Sequence, residues 1–170
     1  TSTDEFREVK KIVHQVVADL KKEGHKINPH IPLGIMIETP SAVLELDYLC
    51  MEADFFSLGT NDLMQYTLAV DRTNDLLSPL YSPCHPSIIR LLNQIAQTTK
   101  RYKKKLTLCG EMAGDPEFLL LLLGLGFTRL SMNSASIPRI KKMIRQATLT
   151  DAVALTKTLI ASSSVKDNKK

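Results

Sequence analysis

The sequence predicts an α/β fold with a parallel sheet, and three observations point to this class. Short apolar segments typical of strands alternate with longer segments that have helical periodicity. The chain has 170 residues, 44% of them apolar, which is enough for one domain with a hydrophobic core. Four strand-like segments end in polar residues, and they cover residues 33–38, 55–62, 106–111 and 129–133. Such alternation requires parallel strands joined by right-handed crossovers.

The elements follow in a regular order. Apolar residues recur at helical spacing over residues 3–23, with Thr3 as the predicted cap and Gly24 as the stop. The next predicted elements are a strand at 33–38, a helix at 40–52, a strand at 54–58, a short helix at 62–70 and a proline-rich loop at 78–86. The remaining ones are helix 86–103, strand 106–109, helix 116–123 ended by Gly124, strand 129–132, and helices 137–147 and 151–161 capped by Ser136 and Thr150. This order fits an open doubly wound sheet or part of a (β/α)8 barrel, which needs about 250 residues when complete.

The composition argues against several classes of protein. Three cysteines without paired spacing argue against a disulfide framework or a structural zinc site, and they fit the reducing cytoplasm. The longest apolar stretch, residues 118–127, is interrupted by glycines and is too short to cross a bilayer. No signal peptide is recognised, and Thr1 in place of a start methionine indicates a processed chain or an excised fragment. We therefore expect a cytoplasmic protein without a membrane partner.

Basic residues gather in two runs, 100–105 and 139–142, and the net charge is +4. A run of this kind is typical of a solvated helix end, which is the interpretation that we favour. A basic module for nucleic acid is the alternative. Four tyrosines, five phenylalanines and no tryptophan offer few rings for base stacking, so we expect no nucleic-acid partner.

Polar side chains stand where the predicted strands end, and ligands bind at that edge in α/β folds. Glu38 and Asp62 offer the oxygen ligands that Mg²⁺ prefers, although each carboxylate also suits a helix N-terminus. Asn61 suits either a ligand contact or a tight turn. Arg72 can fork onto phosphate or carboxylate oxygens, or pair at the surface with a neighbouring aspartate. Cys109 is either a small buried residue or an acid with a tuned pKa.

Four segments of the chain resemble a known family. They are GIMIETPSA at 34–42, FSLGTNDLMQYTLAVDR at 56–72, LCGEMAGD at 108–115 and SIPRIKK at 136–142. They closely resemble the phosphoenolpyruvate-protein phosphotransferases, enzyme I of the bacterial phosphotransferase system, and the likeness extends over about residues 32–161. Met64 departs from that family, which usually has threonine there. The related pyruvate phosphate dikinases and phosphoenolpyruvate synthases share the Asn-Asp and Cys-Gly elements but resemble the rest less.

The resemblance implies a function and a set of site residues. The parent enzyme would move phosphoryl from phosphoenolpyruvate to its own histidine and on to the phosphocarrier protein HPr or its nitrogen-branch counterpart, releasing pyruvate. Glu38 and Asp62 would bind Mg²⁺. Asn61, Asp62 and Arg72 would bind phosphoenolpyruvate. Cys109 would protonate the enol of pyruvate.

The resemblance also implies the C-terminal half, about strands 5–8, of a PEP/pyruvate-type TIM barrel. Residues 1–31 would be a helix and loop that lead into the barrel, 32–161 the partial barrel and 162–170 a disordered tail. The family forms homodimers through this domain, and its phosphorylated histidine lies in another domain, so we expect this chain alone to be inactive. Sugar-uptake and nitrogen-regulatory versions share the motifs. The alternative enzyme is an Mg²⁺-dependent lyase of the same barrel type, which would not need Cys109 as an acid.

Overall fold

The computed structural model describes residues 2–72, 74, 77 and 80–165. The elements are α1 (Thr3–Lys22), β1 (Gly34–Ile37), α2 (Pro40–Leu44), α3 (Leu46–Glu52), β2 (Phe55–Gly59), α4 (Thr60–Leu68), α5 (Pro86–Arg101), β3 (Lys105–Cys109), α6 (Leu119–Leu125), α7 (Ile137–Gln146) and α8 (Leu149–Ala161). Two short 3-10 helices, Glu111–Gly114 and Pro116–Phe118, lie between β3 and α6. Residues 78, 79 and 166–170 of the predicted loop and tail lie outside the described set.

The three strands form a parallel sheet in the order β1-β2-β3. Its register pairs Ile37 with Leu58 and Leu58 with Leu108, and all three side chains are completely buried. Helices cover this face of the sheet with further buried side chains: Leu46, Leu49, Ile88, Ile89, Leu92 and Ile95. The row of apolar side chains across the strands therefore anchors the core.

The other face of the sheet is more open. Because side chains alternate along a strand, Met36, Ser57 and Thr107 form a row on this face. Met36 is 45% exposed, and Phe55, on the same face, is 41% exposed. The Phe55 ring lies over Gly34, where a Cβ atom would overlap it. Parallel sheets are ordinarily covered on both faces, so exposed apolar side chains here indicate an unpartnered surface.

The predicted fourth strand, 129–132, is wrong as a full strand. It is reduced to an isolated parallel bridge between Leu108 and Leu130. Two hydrogen bonds hold it, from the Leu108 amide to the Arg129 carbonyl at 3.0 Å and from the Ser131 amide to the Leu108 carbonyl at 2.8 Å. The chain then turns away, because the Asn133 side chain accepts a hydrogen bond from the Ser136 amide at 2.9 Å.

The predicted helix over residues 40–52 is interrupted at Glu45, which separates α2 from α3. The Glu45 carboxylate accepts hydrogen bonds from the amide and the hydroxyl of Thr3, both at 2.9 Å. Thr3 is thereby committed to this contact, and Ser2 rather than Thr3 caps α1. In the same way, Thr148 rather than Thr150 caps α8. Local spacing predicted these helices, but tertiary contacts and alternative polar residues set where they begin and break.

Close packing between α6 and α8 depends on Gly124. A Cβ atom there would overlap the Ala152 carbonyl oxygen and the Thr156 hydroxyl. Gly124 is therefore a helical packing residue, and Gly126 ends α6 instead, with a φ of 94°. The described part of the chain contains no helix with the length and apolar character of a membrane span.

Cys50 makes the stability of the core depend on pH under alkaline conditions. Its side chain is completely buried, and burial raises the pKa of the thiol from 9.0 to about 11. The unfolded chain loses this proton first, so the free energy of unfolding falls as pH rises between these two values. We expect Cys50 to account for a loss of about 3 kcal/mol across that window.

Urea unfolding of the native chain and of Cys50→Ala, measured on both sides of this pH window, tests the expectation. The stability difference between the two proteins should shrink by that amount as pH rises. A difference that stays constant would show that the thiol titrates equally in the folded and unfolded states.

Candidate functional site

The carboxyl ends of β1, β2 and β3 form one edge of the sheet, which we term the C-terminal edge. Glu38 follows β1, Gly59 ends β2 and Cys109 ends β3, and Gly59 pairs with Cys109 in the register. A Cβ atom on Gly59 would lie 3.2 Å from Oε2 of Glu38. The missing side chain thus leaves room for the Glu38 carboxylate at the middle strand of the edge.

Helix α4 begins directly after β2 and contributes Asn61 and Asp62 from its first turn. The Thr60 side chain is 1% exposed, and its hydroxyl donates to the carbonyl of Cys109 at 3.0 Å. This bond ties the start of α4 to the end of β3. Asn61 and Asp62 therefore sit on rigid secondary structure beside the thiol-bearing strand, rather than on a free loop.

Glu111 holds the side chain of Asn61. The Glu111 amide donates to Oδ1 of Asn61 at 3.2 Å, and Nδ2 of Asn61 lies 3.5 Å from the Glu111 carboxylate. Between Cys109 and Glu111, Gly110 adopts φ 103° and ψ 176°, a conformation essentially restricted to glycine. A Cβ atom on Gly110 would overlap the Thr60 hydroxyl. The strained glycine therefore lets the chain turn closely over the start of α4.

The Cys109 thiol lies on the open face of the sheet. Its Sγ donates to the carbonyl of Leu58 at 3.2 Å and lies 3.4 Å from the Ser57 hydroxyl. Sδ of Met36 is 3.8 Å away. Cys109 is neither fully buried nor fully exposed. A thiol that is held by a carbonyl and reachable from an open face can deliver a proton to a bound molecule.

Arg72 and Tyr81 border the same edge. The Tyr81 hydroxyl donates to the carbonyl of Asn61 at 2.9 Å. Burial raises the pKa of Tyr81, the Arg72 cation lowers it, and the carboxylates of Glu111 and Asp62 raise it. The phenol therefore remains protonated at neutral pH, and it lies among a cation and two carboxylates. The amide of Arg72 also donates to the Gln65 side chain at 3.4 Å.

Replacing Tyr81 with phenylalanine should weaken the start of α4. The change removes one partly buried hydrogen bond to Asn61, which we expect to cost about 1 kcal/mol. Urea unfolding measures the loss, and amide exchange should speed up within Thr60–Leu68. Phenylalanine at Tyr66, which is 59% exposed, is the matched control. Equal stability and exchange in the two variants would contradict an anchoring role for Tyr81.

Glu38 and Asp62 are the two carboxylates that the sequence predicts for a cation site, and both follow strands that end at the C-terminal edge. Within the described residues, no three His, Cys, Asp or Glu side chains group closely enough to hold a metal ion by themselves. Two carboxylates nevertheless fit Mg²⁺, because that ion keeps water and substrate oxygens in its other positions. The donor set at this edge is compatible with Mg²⁺ bound together with a phosphorylated ligand.

Sequence reasoning did not select Ser57, Tyr81 or Glu111 for the site. Ser57 and Glu111 lie inside the motifs quoted above, and that position could have marked them as candidate site residues. Tyr81 lies in a proline-rich loop and gave no signal, since its contact with Asn61 spans 20 residues. Of the predicted residues, Glu38, Asn61, Asp62 and Cys109 gather at the C-terminal edge. Arg72 lies near this edge, because its cation acts on Tyr81, whose hydroxyl donates to the Asn61 carbonyl.

Comparison with known proteins identifies the family. Residues 1–149 match the family described as "PEP-utilising enzyme, PEP-binding domain". The phosphoenolpyruvate-protein phosphotransferase of Haemophilus influenzae is 46% identical over 159 residues, covering 94% of this chain and 28% of the relative. The namesake from Buchnera aphidicola subsp. Schizaphis graminum is 45% identical over 98% of this chain and 29% of the relative. Multiphosphoryl transfer protein 1 of Escherichia coli is 45% identical over 85% of this chain and 17% of the relative.

The chain thus spans less than a third of the length of these relatives. The match nevertheless includes β1, β2, β3 and the whole C-terminal edge. It follows that the chain belongs to the family of PEP-binding domains found in PEP-utilising enzymes.

Proposed function

We propose that this chain is the phosphoenolpyruvate-binding part of a phosphoenolpyruvate-protein phosphotransferase. One observation carries the proposal. Glu38, the Asn61-Asp62 pair and the Cys109 thiol follow or end strands at the C-terminal edge, on elements linked by the register of β1, β2 and β3. A phosphoryl donor needs charge neutralisation, and the enol that it leaves behind needs an acid. This edge offers both kinds of group.

The residues divide the chemistry between them. Arg72 would pair with the phosphoryl oxygens while Asn61 orients the ligand, and the P–O bond to the enol oxygen then breaks as phosphoryl leaves for a histidine elsewhere in the parent enzyme. Cys109 would give its proton to the methylene carbon, forming the methyl group of pyruvate and leaving a thiolate. The thiol lies on the open face of the sheet rather than within the core, which would leave it accessible to a planar enol.

Magnesium is the cofactor that we assign to this edge. Glu38 and Asp62 would hold the ion, and when bound it would neutralise charge on the phosphate and carboxylate of the ligand. This assignment rests on the chemistry of the two carboxylates and on the space that Gly59 leaves for Glu38.

We further propose that the sheet is part of a TIM barrel, the C-terminal half with about strands 5–8. The open face with Met36 and Phe55 supports this, because a barrel would cover it with the remaining strands. HPr or its nitrogen-branch counterpart would be the phosphoryl acceptor of the parent enzyme, and homodimerisation would involve this domain. The alternative, a pyruvate phosphate dikinase or an Mg²⁺-dependent lyase, receives less support because the compared relatives are phosphotransferases by name.

An NMR titration with millimolar phosphoenolpyruvate, with and without Mg²⁺, tests the proposal. Amide resonances of Gly59, Asn61 and Cys109 should shift only when phosphoenolpyruvate and Mg²⁺ are both present. Asp62→Asn should weaken the response by about tenfold, corresponding to one lost charged contact. Asp4→Asn is the matched control because it makes the same charge change on exposed α1. Binding that survives Asp62→Asn, or no response at these amides, would contradict the proposal.

A further inference from the structure

A second candidate site lies at the opposite end of the sheet. It is a cavity of about 650 Å³ between the end of α5, the start of β3 and the segment after α6. We term it the basic cavity, because five cationic side chains line it: Lys100, Lys103, Lys104, Lys105 and Arg129. Lys105 begins β3 and Cys109 ends it, so about 13 Å separates the basic cavity from the C-terminal edge.

The charge around the basic cavity is uncompensated. Its lining in the described chain includes no aspartate or glutamate. Lys104 donates to the carbonyl of Ala53 at 2.8 Å, so its ammonium group already has a partner. The other four cations make no ion pair with a described residue, whereas Arg101, next to Lys100, turns away and pairs with Asp47 at 2.9 Å. Cations that lack local carboxylates raise the concentration of anions in a cleft.

Lys103 contributes to this surface at a conformational cost. It has a φ of 55°, in the left-handed region. Its amide donates to the Lys100 carbonyl at 3.0 Å, and the Lys104 amide donates to the Thr99 carbonyl at 2.8 Å, which closes α5. Glycine is the usual residue in such a helix ending, because a side chain is strained in the left-handed region. The lysine therefore adds charge where glycine would be more stable.

The ligand class follows from size, charge and composition. A volume of 650 Å³ suits a small molecule, for which pockets of about 300–1,000 Å³ are typical. Four uncommitted cations suit a ligand with more than one anionic group. Phe127 is the one aromatic residue lining the cavity in the described chain, and it is 2% exposed, so nucleic-acid bases have no ring to stack on. We propose that the basic cavity binds a small polyanion with two or more phosphate or carboxylate groups.

Calorimetry and NMR titration of the chain with inorganic pyrophosphate, in the absence of Mg²⁺, test this site. Pyrophosphate should bind saturably and at least tenfold more tightly than inorganic phosphate, and amides of Lys103, Lys105 and Arg129 should shift. Binding should weaken steeply in near-molar sodium chloride, where charge interactions are screened within about 3 Å. Asp62→Asn should leave this binding unchanged, so the outcome is separate from that of the proposed function.

Three variants locate the binding. Lys105→Gln with Arg129→Gln should reduce pyrophosphate affinity at least tenfold. Lys141→Gln with Lys142→Gln, on exposed α7, removes the same charge and should leave affinity unchanged. Lys103→Gly should lower affinity while raising the melting temperature, which separates lost charge from lost folding.

Three results would overturn the proposal. The first is equal weakening in the two double variants, which would mean that net charge alone attracts the ligand. The second is the absence of saturation. The third is displacement of pyrophosphate by a single-stranded oligonucleotide that binds more tightly, which would make this a nucleic-acid surface.

Discussion

Gly124→Ala should lower the free energy of unfolding by about 2 kcal/mol, although alanine is ordinarily the better helix residue. The gain in helix propensity is about 1 kcal/mol, whereas overpacking a tight interface costs about 3 kcal/mol. The added methyl group would meet the backbone of Ala152, whose carbonyl carbon is 2.6 Å from the ideal Cβ position. Backbone atoms cannot rotate away, so α8 must shift as a unit. Urea unfolding measures the loss.

A second substitution separates this steric effect from other causes. The hydroxyl of Thr156 is the other atom that the new methyl group would overlap. Adding Thr156→Ala to Gly124→Ala should recover part of the loss, giving a favourable coupling energy in the double-mutant cycle. Thr156→Ala alone should destabilise slightly, because its hydroxyl donates to the Leu121 carbonyl at 3.4 Å. A Gly124→Ala protein as stable as the native chain would refute the proposed contact.

Gly110→Ala should cost about 3 kcal/mol and disturb the candidate site at the same time. The backbone at φ 103° and ψ 176° is strained for alanine. The new Cβ atom would also overlap the Thr60 hydroxyl and lie 3.0 Å from Oδ1 of Asn61. Relief requires movement of the first turn of α4, which carries Asn61 and Asp62. We therefore expect lower stability together with loss of the Mg²⁺-dependent response to phosphoenolpyruvate.

Gly24→Ala is the matched control for Gly110→Ala. Gly24 has a φ of 87°, but nothing lies within 4 Å of its ideal Cβ position. The Gly24→Ala substitution should therefore lower the free energy of unfolding only by the backbone strain, about 1 kcal/mol, and leave ligand binding unchanged. Unfolding curves and the NMR titration would be recorded for both variants. Equal losses in the two would mean that contact with α4 contributes nothing.

Hydrophobic periodicity, together with residues that begin or end helices and turns, predicts most of the fold. The apolar row of Ile37, Leu58 and Leu108 comes from segments predicted as strands, and Ile88 and Leu92 are completely buried on α5, which was predicted as a helix. The errors lie where long-range contacts compete with local propensity. A predicted helix is interrupted at Glu45, whose carboxylate is bound by Thr3, 42 residues away. Spacing along the chain carries no information about such a partner.

The candidate site was likewise predictable from the sequence only in part. Each of Glu38, Asp62 and Cys109 follows or ends a strand, so parallel pairing alone predicts that they share an edge. The face of the sheet was not predictable in this way, because apolar residues occupy both faces, as Met36 and Leu58 illustrate. The hydrogen bond between Glu111 and Asn61 was not predictable from the sequence either, since it depends on how Gly110 turns the chain.

The direct passage from β2 into α4 has a thermodynamic consequence for recognition. Gly59 ends the strand and Thr60 begins the helix, so the backbone of Asn61 and Asp62 is already ordered before any ligand arrives. Little entropy would then be lost there on association, and affinity would depend on the integrity of one nine-residue helix. Fraying of that helix, by heat or denaturant, should weaken ligand binding well before the domain as a whole unfolds.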